Sequence, residues 1–277
     1  MRKSNKKGYS VSWQGGRMPL SSQLSKTIRD KMDTYYTKGN KDEELEKLER
    51  LFDEQQKRSH LPRKNELLIE QVKTREGYHV FIYPFEGRNV HEGLSALFAY
   101  RIAQIKPMSF SLAFNDYGFE LLSDQEIPIE EALGNDLLDN LNLTDDIQKS
   151  VNISEMARRK FRDIASIAGL VFTGYPGKEV KTRHTQANAG LFFSVFAEHE
   201  PDNLLLRQAF DEVYIFQMEQ ARMYDALDRM QHQNIIIRYL QQLSPFCFPI
   251  LTERFREKLT NEKLEDRIQK MLKQLEK

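Results

Sequence analysis

An α+β fold is predicted for this chain: a mainly antiparallel sheet with hairpins in the N-terminal half, packed with a helix-rich C-terminal half. Three features predict it. Two hairpin patterns fall before residue 134, each centred on turn residues; residues 89–105, between them, carry an apolar stripe at helical spacing; and after Leu133-Gly134 the periodicity becomes helical. The chain accordingly divides into residues 1–134, a sheet-containing unit with a basic leading strand, and residues 135–277, mainly helical. Together they form one composite domain, and 277 residues suffice for a substantial core.

Residues 1–17 read as extended and basic, ending beside Gly15-Gly16. Ser21 and Ser22 suit the N-cap of an amphipathic helix through Leu24, Ile28 and Met32. Residues 38–56 are densely charged, with Leu45, Leu48, Leu51 and Phe52 at helical spacing, and read as a surface helix. After the break at Leu61-Pro62, residues 67–73 and 78–83 alternate around Glu76-Gly77 as a first hairpin. Residues 89–105 place Val90, Leu94, Leu97, Phe98 and Ile102 on one helical face. Residues 110–114 and 119–122 flank Asn115-Asp116-Tyr117-Gly118, a second hairpin, whose aromatic residues Phe110, Phe114, Tyr117 and Phe119 read as core.

In the second half, residues 153–171 form a helix with Met156, Phe161, Ile164, Ile167 and Ala168 facing inward, and residues 174–177 a loop. Helices are expected over 184–197 and from Asn203 to about Gln231, the latter started by Pro201-Asp202-Asn203. Residues 235–240 are rich in β-formers. The prolines of 244–249 predict an irregular apolar connection, and 251–275 a final charged helix.

Forty-one basic residues balance 41 acidic ones, but they are segregated. Arg2, Lys3, Lys6, Lys7, Arg17, Lys26 and Arg29 precede the first acid, Asp30. No Lys or Arg lies between Lys106 and Lys149, a stretch expected to face away from any polyanion. A phosphate-binding surface needs local positive potential rather than a positive total. The single cysteine, Cys247, excludes an internal disulfide and suits a reducing compartment; its surroundings read as apolar and its thiol as inert. Apolar runs are too short to span a bilayer and the basic start lacks the apolar segment of a secretory signal, so a soluble cytoplasmic protein without membrane partners is expected.

Catalytic patterns fail one by one. Gly177-Lys178 lacks the glycine of a phosphate loop, since Phe172 stands five residues before Gly177, and Glu179 replaces its Ser/Thr. His91-Glu92 meets Ser95 where a zinc helix places its second histidine, and Gly93-Leu94-Ser95 meets Leu97 where a nucleophile elbow needs glycine. No catalytic residue and no metal site is assigned.

Eight segments in order resemble the C-terminal region of the large helicase-related (Lhr) family, nearest to the ligase-associated DEXH-box helicases of bacterial DNA repair. They are Trp13-Gln-Gly-Gly-Arg17-Met-Pro-Leu-Ser-Ser22, Tyr83-Pro-Phe-Glu-Gly87-Arg88-Asn-Val-His91-Glu-Gly-Leu, Asn115-Asp-Tyr-Gly-Phe-Glu-Leu-Leu-Ser123 and Met156-Ala-Arg-Arg-Lys-Phe-Arg-Asp-Ile-Ala165. Ala168-Gly-Leu-Val-Phe, Gly174-Tyr-Pro-Gly177, Asp202-Asn-Leu-Leu-Leu-Arg-Gln208 and Ser244-Pro-Phe-Cys-Phe-Pro249 complete the set. The resemblance implies a parent that uses ATP and Mg to move along single-stranded DNA and unwind duplexes, including RNA–DNA hybrids. It also implies RecA-like helicase domains as partners, and these lack any counterpart in the sequence. The chain is therefore expected to hold no cofactor and to be no enzyme by itself: an accessory domain that binds single-stranded DNA. The alternative is a scaffold that recruits an ATP-dependent DNA ligase or a metallo-β-lactamase-fold nuclease.

The nucleic-acid-binding candidates are Lys6, Lys7, Trp13, Arg17, Arg88, His91, Arg158, Arg162 and Arg183. Trp13, the only tryptophan, either stacks on a base or anchors the leading strand on the core. Arg17 reaches a phosphate or caps the sheet. Arg88 and His91 lie near a predicted helix start, where amides and dipole favour an anion. Arg158 and Arg162 share a helical face and either grip a backbone or pair with Glu155 and Asp163. Arg183 follows the 174–177 loop as a weaker candidate of the same kind.

Overall fold

The computed structural model describes residues 18–38, 43–150, 153–172, 174–175, 178–179, 182–213 and 219–257, with backbone only for 148, 153–156, 174–175, 178–179, 182–187 and 255–257. Helix α1 (Ser22–Lys38) starts as expected, the Ser21 hydroxyl accepting from the Leu24 amide at 3.3 Å. Helix α2 (Glu43–Arg58) places acids in its first turn and bases in its last, aligned with its dipole, and buries Leu45, Phe52 and Gln55.

Strands β1 (Glu66–Lys73) and β2 (Tyr78–Ile82) form the first hairpin in antiparallel register, Gln71 opposite Val80. Its turn needs Gly77: φ is +142°, and a Cβ there would stand 2.3 Å from the Ser123 carbonyl oxygen. Helix α3 (Arg88–Ile105) then crosses to β3 (Ser111–Phe114) and β4 (Phe119–Ser123). In this second hairpin the Asn115 side chain accepts from the amides of Tyr117 and Gly118 at 2.8 and 3.0 Å. Short helices α4 (Ile129–Gly134) and α5 (Leu143–Ser150) lead to α6 (Ile153–Ile167), and a small hairpin of β5 (Gly174–Tyr175) and β6 (Lys178–Glu179) precedes α7 (Thr182–His199). Helices α8 (Leu204–Glu212) and α9 (Gln220–Gln231), strand β7 (Asn234–Leu240) and helix α10 (Cys247–Glu257) follow.

The sheet runs β3-β4-β2-β1-β7, antiparallel except that β7 lies parallel to β1, Leu67 opposite Ile235. Both faces are covered. Leu67, Ile69, Val80, Ile82, Phe119 and Leu121 meet α3 and continue into the core of α5, α6, α8 and α9. Leu68, Val72, Phe81 and Tyr83 meet Met32 of α1, Leu45 and Phe52 of α2, and Ile250 and Leu251 of α10.

Several expectations change. Tyr117, read as core, is 44% exposed, and Gly174 and Tyr175, read as loop, form β5. The helix expected from 203 to 231 is two helices, α8 capped by Asn203 at the amides of Leu205 and Leu206, and α9 preceded by Glu219 at φ 45°. Cys247, Phe248 and Pro249 belong to α10 rather than to an irregular connection, because proline's missing amide costs nothing in a first turn. On α6 the inward face is Ala157, Phe161, Ile164 and Ala165, whereas Ile167, the last helical residue, is 88% exposed. Cys247 lies in the apolar cluster with Tyr83, Ile250 and Leu251, as expected, but polar groups border it too: its Sγ is 3.3 Å from a Glu70 oxygen and from the Ser244 hydroxyl, and 3.4 Å from the Tyr83 hydroxyl. Its thiol is still pushed well up, first by burial and then by the Glu70 charge.

Candidate nucleic-acid interface

Pro84 ends β2, and the chain turns through Phe85 and Gly87, both at positive φ (54° and 94°). At Gly87 a Cβ would stand 2.7 Å from the Leu20 carbonyl oxygen. Left-handed backbone at phenylalanine costs on the order of 1–2 kcal/mol. It is held by the Phe85 amide donating to the Tyr117 carbonyl at 3.1 Å, and by Arg29 Nη1 donating to the Phe85 carbonyl at 2.8 Å.

Glu86 collects cations from both ends of the chain. Its Oε1 accepts from Arg29 of α1 at 2.6 Å and from Arg229 of α9 at 2.9 Å, and Arg222 of α9 lies 4.0 Å from Oε2. Arg222 also donates to the Glu86 carbonyl and pairs with Glu219, while Arg229 Nη2 reaches the Pro84 carbonyl at 2.9 Å. Burial, followed by the nearby Arg29, lowers Arg229 to about 10, so it stays charged at neutral pH. Three guanidiniums thus face two carboxylates, and the hub retains one positive charge.

Beside it, Asp116 Oδ1 accepts from the Arg88 amide at 3.1 Å and the Leu20 amide at 3.2 Å, fixing the start of α3 to the place where the chain enters the described fold. So part of the acidic stretch does structural work: Asp116 and Glu120 are buried, and Asp146 pairs with Arg101 at 2.8 Å.

The expected contact residues scatter. Lys6, Lys7, Trp13 and Arg17 lie outside the described residues, and Arg183 is described only as backbone in the first turn of α7. Arg88 is half-buried, its guanidinium 5.6 Å from the Phe114 ring centroid. His91 is fully buried: Nε2 accepts from the Glu86 amide at 3.0 Å, and Nδ1 donates to the Asn115 carbonyl at 2.6 Å. Burial lowers it to about 4, which keeps the imidazole neutral and commits both nitrogens to the loop. Arg158 is exposed on α6, donates to the Ser194 hydroxyl at 3.0 Å and lies 5.4 Å from the Phe193 ring centroid. Arg162 meets Asp163 at 3.2 Å. Arg88 and the α6 arginines therefore sit on separate elements. Sequence reading missed Glu86, Arg29, Arg222 and Arg229 as a unit; the seven-residue spacing of the last two along one helix was the available signal.

Next to the hub a cleft of 690 Å³ opens between the starts of α5 and α9, lined by Leu141, Leu143, Thr144, Gln220, Arg222 and Tyr224 among others. Gln220 spans it, donating to the Thr144 hydroxyl at 2.7 Å. Among the described residues no three His, Cys, Asp or Glu side chains group to hold a metal.

The sequence signature of the DEAD/H associated family covers residues 61–247, from the residue preceding Pro62 to the first turn of α10. The chain belongs to this family. The chain is 27% identical over 199 residues to ATP-dependent helicase Lhr-Core protein 2 of Thermococcus barophilus, covering 71% of this chain and 23% of that protein. It is 26% identical over 234 residues to ATP-dependent helicase Lhr-Core of Methanocaldococcus jannaschii, covering 84% and 26%. The fold matches the solved structure of Mycobacterium smegmatis helicase Lhr bound to ssDNA and AMP-PNP with a TM-score of 0.67 at 16% identity, over 89% of this chain and 33% of that one. The chain is an Lhr-family helicase region, as its motifs predicted, and spans about a quarter to a third of these relatives. Among the described residues no helix is long and apolar enough to cross a membrane.

Proposed function

We propose that this DEAD/H associated domain is a non-catalytic grip for single-stranded DNA within a cytoplasmic DNA repair helicase of the ligase-associated kind. ATP and Mg act on RecA-like domains outside this chain. Lys6, Lys7, Arg17 and Arg88 contact phosphates, and Trp13 stacks on a base. The reading is supported above all by the fold match to a helicase bound to ssDNA. Support also comes from the junction at Leu20, Gly87 and Arg88, which sets the first described residues beside the hub. Stacking suits a tracking domain because every base offers a π-face, and hydrogen bonds to base edges are not needed.

The test is fluorescence anisotropy of a labelled oligothymidylate at low salt. Trp13→Ala is expected to weaken binding by about 1–3 kcal/mol, the worth of one stacked base. Unchanged affinity in the folded variant removes the stacking role. If the wild-type chain binds no strand yet captures a DNA ligase or nuclease, the scaffold reading replaces this one.

A further inference from the structure

The phosphate contacts proposed above leave the cleft between α5 and α9 unused. Each wall presents an apolar group to water: Leu141, just before α5, is 86% exposed, and Tyr224 of α9 is 49% exposed. The cleft also offers hydrogen bonds. Gln220 Nε2 donates to the Thr144 hydroxyl at 2.7 Å, and among the described residues its side chain makes no other hydrogen bond. Its carbonyl oxygen and second N–H therefore remain for a ligand. The volume of 690 Å³ falls within the range of about 300–1,000 Å³ of small-molecule sites.

Charge narrows the choice of occupant. Glu219 is the only acid among the described residues that line the cleft, and it is engaged: it pairs with Arg222 and accepts from Asn89 Nδ2 at 3.1 Å. The surplus positive charge lies on the adjoining hub. Arg222 donates to the Glu86 carbonyl, and its Nη2 borders Gly87, the residue before Arg88. The cleft thus suits an uncharged ring with a polar edge, and the surface beside it suits an anion attached to that ring. A nucleobase on its phosphate backbone has this make-up, and its π-face stacks on an aromatic side chain.

We propose that the cleft is a base subsite for single-stranded DNA. One unpaired base enters it, stacks on Tyr224, meets Leu141 on the other wall and turns its edge to the Gln220 amide, while the backbone passes Arg88. The subsite deepens the strand-binding reading and rests on it.

The test is fluorescence anisotropy of the full chain with two labelled strands of equal length. One is an oligothymidylate; the other is an abasic strand, which keeps the phosphates and lacks the bases. Tyr224→Ala is expected to weaken oligothymidylate binding about 5–150-fold, the worth of one stacked base, and to leave the abasic strand's affinity unchanged. Tyr224→Phe keeps the ring and should bind both strands as the wild type does. The position is half-exposed, and circular dichroism checks that the fold is kept. Oligothymidylate affinity equal in Tyr224→Ala and wild type overturns the subsite and leaves the grip standing. Equal weakening on both strands overturns it too, since the loss then lies in backbone contacts. A wild-type chain that binds neither strand removes the grip and the subsite together.

Discussion

Glu86 shows how much one side chain decides here. It is 7% exposed and faces three arginines drawn from α1 and α9. Glu86→Gln leaves Arg29 and Arg229 partly buried without their counter-charge, and is expected to destabilise the chain by about 3–5 kcal/mol in urea unfolding. A change below the error of the method would contradict the hub. His91 makes a second prediction with a definite sign. Its folded value, about 4, lies below the ordinary 6.5, so the unfolded chain takes up the proton first. The stabilisation is complete above pH 6.5, declines as pH falls to 4, and amounts to about 3 kcal/mol. Unfolding measured across that range should show His91→Gln lacking this part of the slope; equal slopes would mean the imidazole is not held neutral. Neither role was legible in the sequence. Arg229 lies 143 positions from Glu86, and a histidine near a helix start looks alike whether it faces an anion or the core.

Elements were legible wherever their signal was local. The hairpin turns, the Ser21 and Asn203 caps and the stripe of α3 follow from residues a few positions apart. The parallel pairing of β7 with β1 does not, since it joins strands separated by the whole helical half. Helix α10 was misread because proline normally ends helices, yet Pro249 occupies a first turn. That helix is docked by buried Glu70, which accepts from Gln55 at 2.8 Å, Tyr83 at 2.7 Å and Ser244 at 2.6 Å, all neutral donors. Ser244→Ala removes one donor to a buried carboxylate and is expected to cost about 1–3 kcal/mol by urea unfolding. Cys247 should resist iodoacetamide in the folded chain and react on unfolding, because burial and Glu70 oppose its thiolate. Rapid alkylation of the native protein would show that α10 opens locally.

At the scale of the molecule, zero net charge conceals a hub with one positive charge to spare and a run of basic residues before Asp30 in the sequence. The family was legible because eight motifs stand in order from Trp13 to Pro249; two of them, at 83–94 and 115–123, include the loop and turn that the hub and Asp116 hold in place. The proposed strand surface was legible only as a list of cations, since sequence spacing assigns Arg88 and the Arg158–Arg162 pair to two helices without showing how those helices are placed in the fold. The measurement that bears most directly on the grip is the salt dependence of oligothymidylate affinity for the wild-type chain. Contacts by Lys6, Lys7, Arg17 and Arg88 predict a slope of about −3 in log affinity against log salt, at about −0.7 per phosphate neutralised on a single strand. Affinity that does not change with salt, or no binding at low salt by the folded chain, would contradict it.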